Sequence, residues 1–226
     1  MVDNQFLETM FVTFKLAGIT TIILLFIGIS LGYYLAFTKN RFKPVFEAII
    51  SMPLVLPPSV LGFYLLITFS PNSWFGNFIE ENLGLRLVFS FEGLVIASVI
   101  FSLPFMVQPI QNGFSSLPKN MILASYTLGK GELETLYRVM LPNIKPSILT
   151  AVIITFAHTI GEFGVVLMIG GNIDGETRVA SIAIYDEVEA LNYSVANQYA
   201  ITLFIISFII LLFVYIVNRK FLKSQF

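Results

Sequence analysis

The chain contains five stretches that are each long and apolar enough to cross a lipid bilayer. A transmembrane helix needs about 20 mostly apolar residues, because the hydrocarbon core is about 30 Å thick. A chain with 56% hydrophobic and 12% charged residues is too apolar to be a soluble domain of this length. We therefore predict an all-α polytopic membrane protein with about five transmembrane helices, forming one domain over residues 1–226. The predicted spans are residues 11–37, 47–70, 92–115, 147–170 and 200–219.

The charged residues between these stretches predict how the helices are oriented. Lysine and arginine remain preferentially on the cytoplasmic side of a membrane. Basic residues cluster at positions 39–43, 119–145 and 219–223. The alternating segments carry acidic residues, at positions 3–8, 80–92 and 174–189. We predict an N-terminus outside, a C-terminus inside, a cytoplasmic loop over 117–146 and an extracytoplasmic loop over 171–199.

The cytoplasmic loop is predicted to fold into two short helical pieces. Gly129 and Gly131 separate them, since glycine permits the positive φ that ends one helix and turns the chain. The second piece begins with acidic residues, of which Glu132 is the first, as favoured at a helix N-terminus. We expect Pro142 to stop this piece, because proline cannot continue the hydrogen-bonding pattern of a helix. The loop is therefore predicted to be compact and stiff.

The same loop resembles the EAA loop of ABC importer permeases. That pattern is Glu-Ala-Ala, three residues, Gly, nine residues, a branched apolar residue, one residue and Leu-Pro, and the spacing here fits without a gap. Leu123 stands at the usual glutamate and Ser125 at the second alanine. In the family this loop is the coupling helix that docks on the ATP-binding subunit. The residues that the resemblance assigns to coupling are Ala124, Ser125, Gly129, Gly131, Glu132, Leu136, Val139, Leu141 and Pro142.

Further stretches look like the molybdate branch of these permeases. They read MPLVLPPSVLGFYLL over 52–66, LGLRLVFSFEGLVIAS over 83–98, GEFGVVLMIGGN over 161–172 and TRVASIAIYD over 177–186. Asp174 departs from the pattern, which commonly has proline there. Sulfate permeases share the GEFG and AIYD stretches. The resemblance implies a type I ABC importer permease that transports molybdate or tungstate, with sulfate or another oxyanion as the alternative.

The resemblance also implies partners for the chain. They are a second copy in a homodimer, two ATP-binding subunits and an extracytoplasmic molybdate-binding protein, all at the bacterial cytoplasmic (inner) membrane. ATP and Mg would be bound by the partner subunits, because this chain has no GxxxxGK[ST] phosphate loop. We expect this chain to bind no cofactor and no metal, and to be no enzyme. ATP binding would then move two coupling helices together and tilt the membrane helices.

Other classes of protein fit the residue inventory less well. A membrane hydrolase would have only His158 as a general base, and the chain has no Gly-x-Ser-x-Gly motif. Nucleic-acid binding is not indicated, because the basic residues are split among membrane-flanking clusters. A stand-alone channel or ion-coupled carrier would explain the spans but would leave the coupling loop without a function. An inverted repeat or a row of intramembrane charges, which would favour a carrier, is not visible.

Several residues inside the spans are candidates for a transport pathway or gate. Pro53, Pro57 and Pro58 interrupt the second span, which indicates either a hinge or pathway wall, or a static kink. Glu162 is costly to bury and is flanked by glycines, so we expect it either to serve an outer gate or to lock two helices. Since no Lys or Arg lies in the middle of a span, we predict no high-affinity oxyanion site in this chain. Neutral hydroxyls would instead line a weak path, at Thr20, Thr21, Ser59, Thr155 and Thr159.

The extracytoplasmic loop over 171–199 is predicted to contain a helix. Apolar residues recur at helical spacing from Val179 to Val188, with acidic residues on other faces. This helix would either receive the binding protein or simply cap the bundle. The residues assigned to docking of the binding protein are Tyr185, Asp186, Glu187 and Glu189.

Overall fold

A computed structural model describes residues 4–223, and this part of the chain is helical and contains no β-strand. Asp3, from the predicted acidic N-terminus, and the last three residues lie outside the described part. A π-helical turn over Leu136–Met140 joins α7 to α8. The helices are α1 Asn4–Phe37, α2 Lys43–Val55, α3 Pro58–Phe69, α4 Trp74–Leu83, α5 Phe91–Ser115, α6 Lys119–Thr127, α7 Glu132–Thr135, α8 Leu141–Asn143, α9 Lys145–Ile160, α10 Gly164–Gly170, α11 Ala180–Glu189 and α12 Tyr193–Lys223.

The number of candidate spans depends on how two bent helix pairs are counted. Within the described residues, α1, α5 and α12 are each long and apolar enough to cross a membrane alone. The count reaches 5 when each of two bent helix pairs is taken as one span. One pair is α2 with α3, and the other is the segment Glu132–Asn143 with α9. The all-α polytopic fold is therefore confirmed.

Close packing of α1 on α5 forms the centre of the bundle. A Cβ atom added at Gly28 would lie 2.4 Å from the Met106 side chain, and one at Gly32 would lie 2.8 Å from Ile110. These glycines allow the two helix backbones to approach. The helix α5 runs unbroken for 25 residues through Pro104 and Pro109. Buried proline is tolerated here because neighbouring helices surround it.

The predicted second span, residues 47–70, is broken into α2 and α3. The two helices meet at an angle of 110°. Pro57 has the extended conformation that the following Pro58 imposes on it, with φ −55° and ψ 136°. Pro53, by contrast, lies inside α2 and does not end it. The break predicted from three prolines is therefore produced by the adjacent pair.

The predicted fourth span, residues 147–170, is also broken, at residues 161–163 between α9 and α10. The 16 residues of α9 extend about 24 Å, which is less than the hydrocarbon thickness. Helix α10 starts against the beginning of α3, where a Cβ atom at Gly164 would lie 2.8 Å from the Pro58 side chain. The GEFG stretch is therefore a helix break packed on the break of the second span, and the prediction of one continuous helix is wrong.

The two long loops lie at opposite ends of α1. Near its N-terminus, the Thr13 hydroxyl accepts a hydrogen bond of 2.9 Å from the Ala180 backbone N–H at the start of α11. Near its C-terminus, the Tyr33 hydroxyl donates a 2.7 Å hydrogen bond to Glu132 at the start of α7. The acidic extracytoplasmic loop and the basic cytoplasmic loop thus lie at opposite ends of the bundle, as their charges predict.

Candidate coupling surface and gate

The turn inside the cytoplasmic loop depends on one glycine. Gly129 has a φ of 77°, a left-handed conformation, as predicted. Its N–H donates to the Tyr126 carbonyl and the Lys130 N–H donates to the Ser125 carbonyl, at 3.0 and 3.2 Å. These two bonds form a Schellman motif, which satisfies the last carbonyls of α6. Gly131 has a φ of −72°, so the backbone does not require glycine at that position.

Side-chain contacts fix the two pieces of the loop against each other. The hydroxyls of Ser125 and Thr135 lie 2.9 Å apart and both residues are buried. Ser125, the departure from the EAA pattern, thus joins α6 to α7. Glu134 pairs with Lys130 at 2.6 Å and with Arg138 at 3.4 Å, and the hydrogen bond from Lys130 lowers the pKa of the Glu134 carboxyl. The loop is a single compact body, which we call the coupling knob, residues 119–143.

The expectation that Pro142 stops the second piece is wrong. The helix passes through Pro142 and ends at Asn143. In an α-helix, the proline ring would clash with the carbonyl four residues earlier, and no N–H would be available to bond it. A π-helical turn precedes Pro142, and within it the Leu141 N–H bonds to the Leu136 carbonyl five residues earlier. The wider turn relieves the crowding that proline would otherwise create.

The coupling knob presents large apolar side chains to the outside. Leu128, Leu133 and Tyr137 are 78%, 71% and 66% exposed, and Leu123 and Tyr126 are also exposed. This set was not among the predicted coupling residues, although Leu133 and Tyr137 follow the helical spacing of the second piece. Three predicted coupling residues face the other way and are half-buried, namely Leu136, Val139 and Leu141. The remaining predicted residues Ala124, Gly131, Glu132 and Pro142 are exposed.

A cavity of about 640 Å³ lies between the start of α3 and the end of α9. It brings together three of the predicted gate residues, Pro58, Ser59 and Glu162, with His158 and Phe163. Pro53 and Pro57 are not among its lining residues. We call this region the gate cavity. The remaining lining residues are Phe101, Ala157, Gly161 and Gly164.

Glu162 is the buried acid of the gate cavity. The residue is 4% exposed, and the Ser98 hydroxyl on α5 interacts with its carboxyl group. Neither group has a further hydrogen-bond partner in the described part of the chain. The backbone carbonyl of Glu162 accepts a 2.5 Å bond from the Ser181 hydroxyl on α11. The helix break is therefore tied to the extracytoplasmic helix through its backbone and to α5 through the Glu162 carboxyl group.

His158 joins the gate cavity to a polar chain between α5 and α9. Its ring stacks on Phe105 with centroids 3.9 Å apart, and its Nδ1 lies 3.0 Å from the Ser102 hydroxyl. Ser102 is in turn 3.2 Å from the Thr159 hydroxyl, which donates to the Thr155 carbonyl. Because the one Thr159 proton is used in that bond, Ser102 donates to Thr159 and His158 Nδ1 donates to Ser102. This assigns a proton to Nδ1 of His158.

The predicted neutral path is not assembled in the gate cavity of this structure. Ser59 lines the cavity, whereas Thr155 and Thr159 are buried in the contact between α5 and α9. Thr20 and Thr21 are buried on α1, and their hydroxyls have no partner in the described part of the chain. His158, which the sequence analysis considered only as the general base of a membrane hydrolase, lines the cavity in place of the threonines.

The extracytoplasmic helix α11 is organised around Arg178, which sequence reasoning missed. Its guanidinium lies 2.9 Å from Asp174, 3.6 Å from Asp186 and 3.7 Å from Glu187. The hydrogen bond from Arg178 lowers the pKa of the Asp174 carboxyl. The sequence signal for its role was that Arg178 is the single basic residue within an acidic loop. The predicted docking residues Asp186 and Glu187 are thus engaged within the chain.

The other two predicted docking residues, Tyr185 and Glu189, are exposed on α11. The Tyr185 hydroxyl donates a 2.6 Å hydrogen bond to Glu189. The Tyr185 ring also contacts Phe163 of the GEFG stretch, with centroids 5.1 Å apart. The AIYD and GEFG stretches therefore form one packed unit at the extracytoplasmic end.

Comparison with known proteins identifies this arrangement. A family model described as binding-protein-dependent transport system inner membrane component matches residues 16–223. The chain belongs to this family of ABC importer permeases. As such a permease, it is a non-catalytic membrane subunit.

Two curated relatives indicate how similar the permease is to molybdenum permeases and to sulfate permeases. It is 45% identical over 208 residues to the molybdenum transport system permease protein ModB of Azotobacter vinelandii, covering 92% of each chain. It is 29% identical over 209 residues to the sulfate transport system permease protein CysT of Synechocystis sp., covering 92% of this chain and 72% of that one. Relatives named as sulfate permeases range from 28% to 32% identity.

A solved structure places the permease in the type I fold. The crystal structure of a bacterial ABC transporter involved in the import of the acidic polysaccharide alginate matches with a TM-score of 0.80 at 17% identity. The match covers 96% of this chain and 80% of that one. At this identity the likeness shows the fold of the permease and nothing about its substrate.

Proposed function

We propose that this permease imports molybdate, with tungstate as a second substrate of similar size and charge. The observation that carries the proposal is the identity of 45% to a molybdenum permease over nearly the whole chain, against 28% to 32% for sulfate permeases. The difference favours molybdate over the alternative of sulfate or another oxyanion.

The exposed face of the coupling knob supports docking of an ATP-binding subunit. Leu128, Leu133 and Tyr137 are each more than 60% exposed on a segment that charge placement assigns to the cytoplasm. Exposed apolar patches rimmed by polar residues mark protein interaction sites. A homodimer would present two such knobs to two ATP-binding subunits, which would hold ATP and Mg. Two-fold pairing suits a permease built from a single kind of chain.

Transport would occur by alternating access, with the bent helix pairs as the moving parts. The knob leads directly into α9 through a bend of 72°, and α9 ends at the break that contains Glu162. A displacement of the knob is therefore passed along α9 to the gate cavity. Broken helices at membrane depth are tolerated where they line a cavity, which is where this break lies.

The composition of the gate cavity supports weak contact with the passing anion. Neither lysine nor arginine is among the nine residues that line it in the described part of the chain. An oxyanion there would have no cation to compensate its desolvation. Selectivity would then reside mainly in the extracytoplasmic binding protein, which would dock on the end of the molecule that carries Tyr185 and Glu189.

Uptake by the complete transporter tests the proposal. The permease, its ATP-binding subunit and its binding protein would be reconstituted in liposomes with ATP inside, and molybdenum entry would be measured. We expect uptake that requires ATP and the binding protein, that tungstate inhibits, and that sulfate at the same concentration inhibits at least tenfold less. Stronger inhibition by sulfate would identify a sulfate permease. Uptake without ATP would instead identify a channel or an ion-coupled carrier.

A further inference from the structure

A hydrogen bond joins α1 to the coupling knob across 99 positions of the sequence. The Tyr33 hydroxyl donates to Glu132 Oε1 at 2.7 Å. A short bond to a carboxylate is stronger than one between neutral groups. It is the direct polar contact between the cytoplasmic end of a 34-residue membrane helix and the first residue of α7.

The Tyr33 ring is held in place by aromatic neighbours. Its centroid lies 5.1 Å from that of Phe37 on α1 and 5.5 Å from that of Phe114 on α5, the second in an edge-to-face arrangement. Phe37 and Phe114 also contact each other at 6.1 Å. Edge-to-face pairs add stabilisation beyond the area that they bury. The hydroxyl therefore points at the knob from a ring fixed to both α1 and α5.

Glu132 has no other hydrogen bond or ion pair in the described part of the chain. It occupies the first position of α7, where a carboxylate interacts favourably with the helix dipole. The next residue, Leu133, is one of the exposed apolar residues of the knob surface. The position of Glu132 thus sets the start of the helix that carries the exposed surface.

We propose that Tyr33 is a positioning residue, which through Glu132 links movement of the coupling knob to α1. The inference rests on the proposed function, because it assigns a step in the coupling of ATP hydrolysis to transport. When an ATP-binding subunit displaces the knob, the bond makes α1 follow. Without it, the knob is connected to the membrane helices by apolar packing and by its two chain connections, to α5 through residues 116–118 and to α9.

The neighbouring Tyr34 provides a matched control. It lies on the same helix and is 45% exposed, its ring contacts Phe46, and it makes no hydrogen bond to the knob. Replacing either tyrosine with phenylalanine removes one hydroxyl and preserves the ring. Only Tyr33→Phe removes the bond to Glu132.

Transport and ATP hydrolysis by the complete transporter provide the first test. We expect Tyr33→Phe to copurify normally with the ATP-binding subunit and to lower molybdenum uptake per ATP hydrolysed by about tenfold, the equivalent of one hydrogen bond to a charged group. Tyr34→Phe should change this ratio less than twofold. A ratio in Tyr33→Phe within twofold of the wild type would overturn the inference.

Substitutions of Glu132 separate hydrogen bonding from charge. Glu132→Gln keeps an oxygen that accepts the Tyr33 proton, so we expect most of the coupling to remain. Glu132→Ala should lower the ratio as far as Tyr33→Phe does, and the double variant should show no further loss. Additive losses in the double variant would mean that the two residues act separately, against the inference.

Amide hydrogen exchange of the purified permease tests the inference without any substrate. We expect exchange in α7 and the following π turn to become about tenfold faster in Tyr33→Phe and to stay unchanged in Tyr34→Phe. Unchanged exchange in Tyr33→Phe would overturn the inference whatever the transported ion. If Tyr33→Phe shows the exchange difference while the wild-type complex takes up no molybdate, the proposed substrate alone is refuted.

Discussion

The coupling knob and the gate cavity use glycine in opposite ways. A Cβ atom added at Gly129 or Gly131 of the knob would meet no atom within 4 Å. At the gate, a Cβ atom at Gly164 would lie 2.8 Å from the Pro58 side chain, and one at Gly62 would lie 3.0 Å from Met168. The knob needs glycine for backbone conformation, at Gly129, whereas the gate needs glycine for space. The open surface of the knob is suited to contact another protein, whereas the close contacts at the gate hold α3 and α10 of the same chain together.

The two regions also differ in how their polar groups are satisfied. In the knob, Ser125 bonds to Thr135 and Glu134 pairs with Lys130. In the gate region, the buried carboxyl of Glu162 has the Ser98 hydroxyl as its one polar neighbour in the described part of the chain. A buried carboxyl with so few partners is costly, so this arrangement is favoured less than one that supplies more of them. The contrast indicates a knob that moves as a rigid body and a gate that rearranges.

The largest effect is expected from filling the space at the gate. Gly164→Val should separate α10 from α3, because overpacking a close contact costs about 1–3 kcal/mol. We expect the melting temperature of the purified permease to fall by roughly 5 °C and uptake to be lost. Gly18→Val is the control, since no atom lies within 4 Å of that added Cβ. Normal uptake by Gly164→Val would show that the two broken spans do not need their close contact.

The next effect concerns the buried carboxyl of the gate. We predict that Glu162 acts by hydrogen bonding across helices, with the Ser98 hydroxyl on α5 as its partner in this conformation. Glu162→Ala should then lower uptake by at least about tenfold, through a gate that leaks or locks, whereas Glu162→Gln should stay within about threefold of the wild type. Uptake in liposomes measures both. Equal loss in the two variants would mean that the charge itself is required.

A smaller effect is expected in the knob, where only backbone conformation is at stake. Gly129→Val forces a side chain into the left-handed region, at a cost of about 1–2 kcal/mol. We expect membrane insertion and dimer formation to be normal, copurification of the ATP-binding subunit to fall about tenfold, and ATP hydrolysis to be uncoupled from uptake. Gly131→Val, with φ −72° in the wild type, should behave normally. Equal behaviour of the two variants would make the knob a passive connector.

The smallest effect concerns pH and the extracytoplasmic helix. The hydrogen bond from Arg178 lowers the pKa of Asp174 in the folded protein, so this pair stabilises the fold above the ordinary pKa of aspartate and loses that contribution as the pH falls through the lowered value. An exposed ion pair contributes less than about 1 kcal/mol. The melting temperature of wild type minus that of Asp174→Asn should therefore be about 1–2 °C at pH 7 and vanish in strong acid. A difference that grows on acidification would contradict this sign.

Features of the fold were predicted from the sequence where a few neighbouring residues determine them. The left-handed turn at Gly129 and the helix α11 were predicted because a few neighbouring residues determine each of them. The break at residues 161–163 was not, because its apolar flanks satisfy the hydropathy criterion for one span. The adjacent prolines Pro57 and Pro58 predicted a break in the second span. They could not give its angle of 110°, which depends on packing against α10.

Individual residues of the candidate site were predicted from the sequence, but the contacts between distant segments were not. Pro58, Ser59 and Glu162 were predicted as gate residues, and the fold brings them to one cavity. Of the coupling residues that the resemblance assigns, Leu136, Val139 and Leu141 are half-buried, whereas the exposed Leu133 and Tyr137 were not among them. The hydrogen bond between Tyr33 and Glu132 joins positions 99 apart in the sequence, so no pattern of neighbouring residues predicts it.

The contacts at the two ends of α1 also fix the rotational phase of that helix. Thr13 bonds to α11 at one end and Tyr33 bonds to α7 at the other, 20 residues or about 30 Å apart. Each residue inserted between them would rotate one end by about 100° relative to the other. Both bonds could not then be kept, even though the helix would still span the bilayer. The length of α1 is therefore constrained by angular register as well as by membrane thickness, and insertions there are expected to be tolerated only in whole turns.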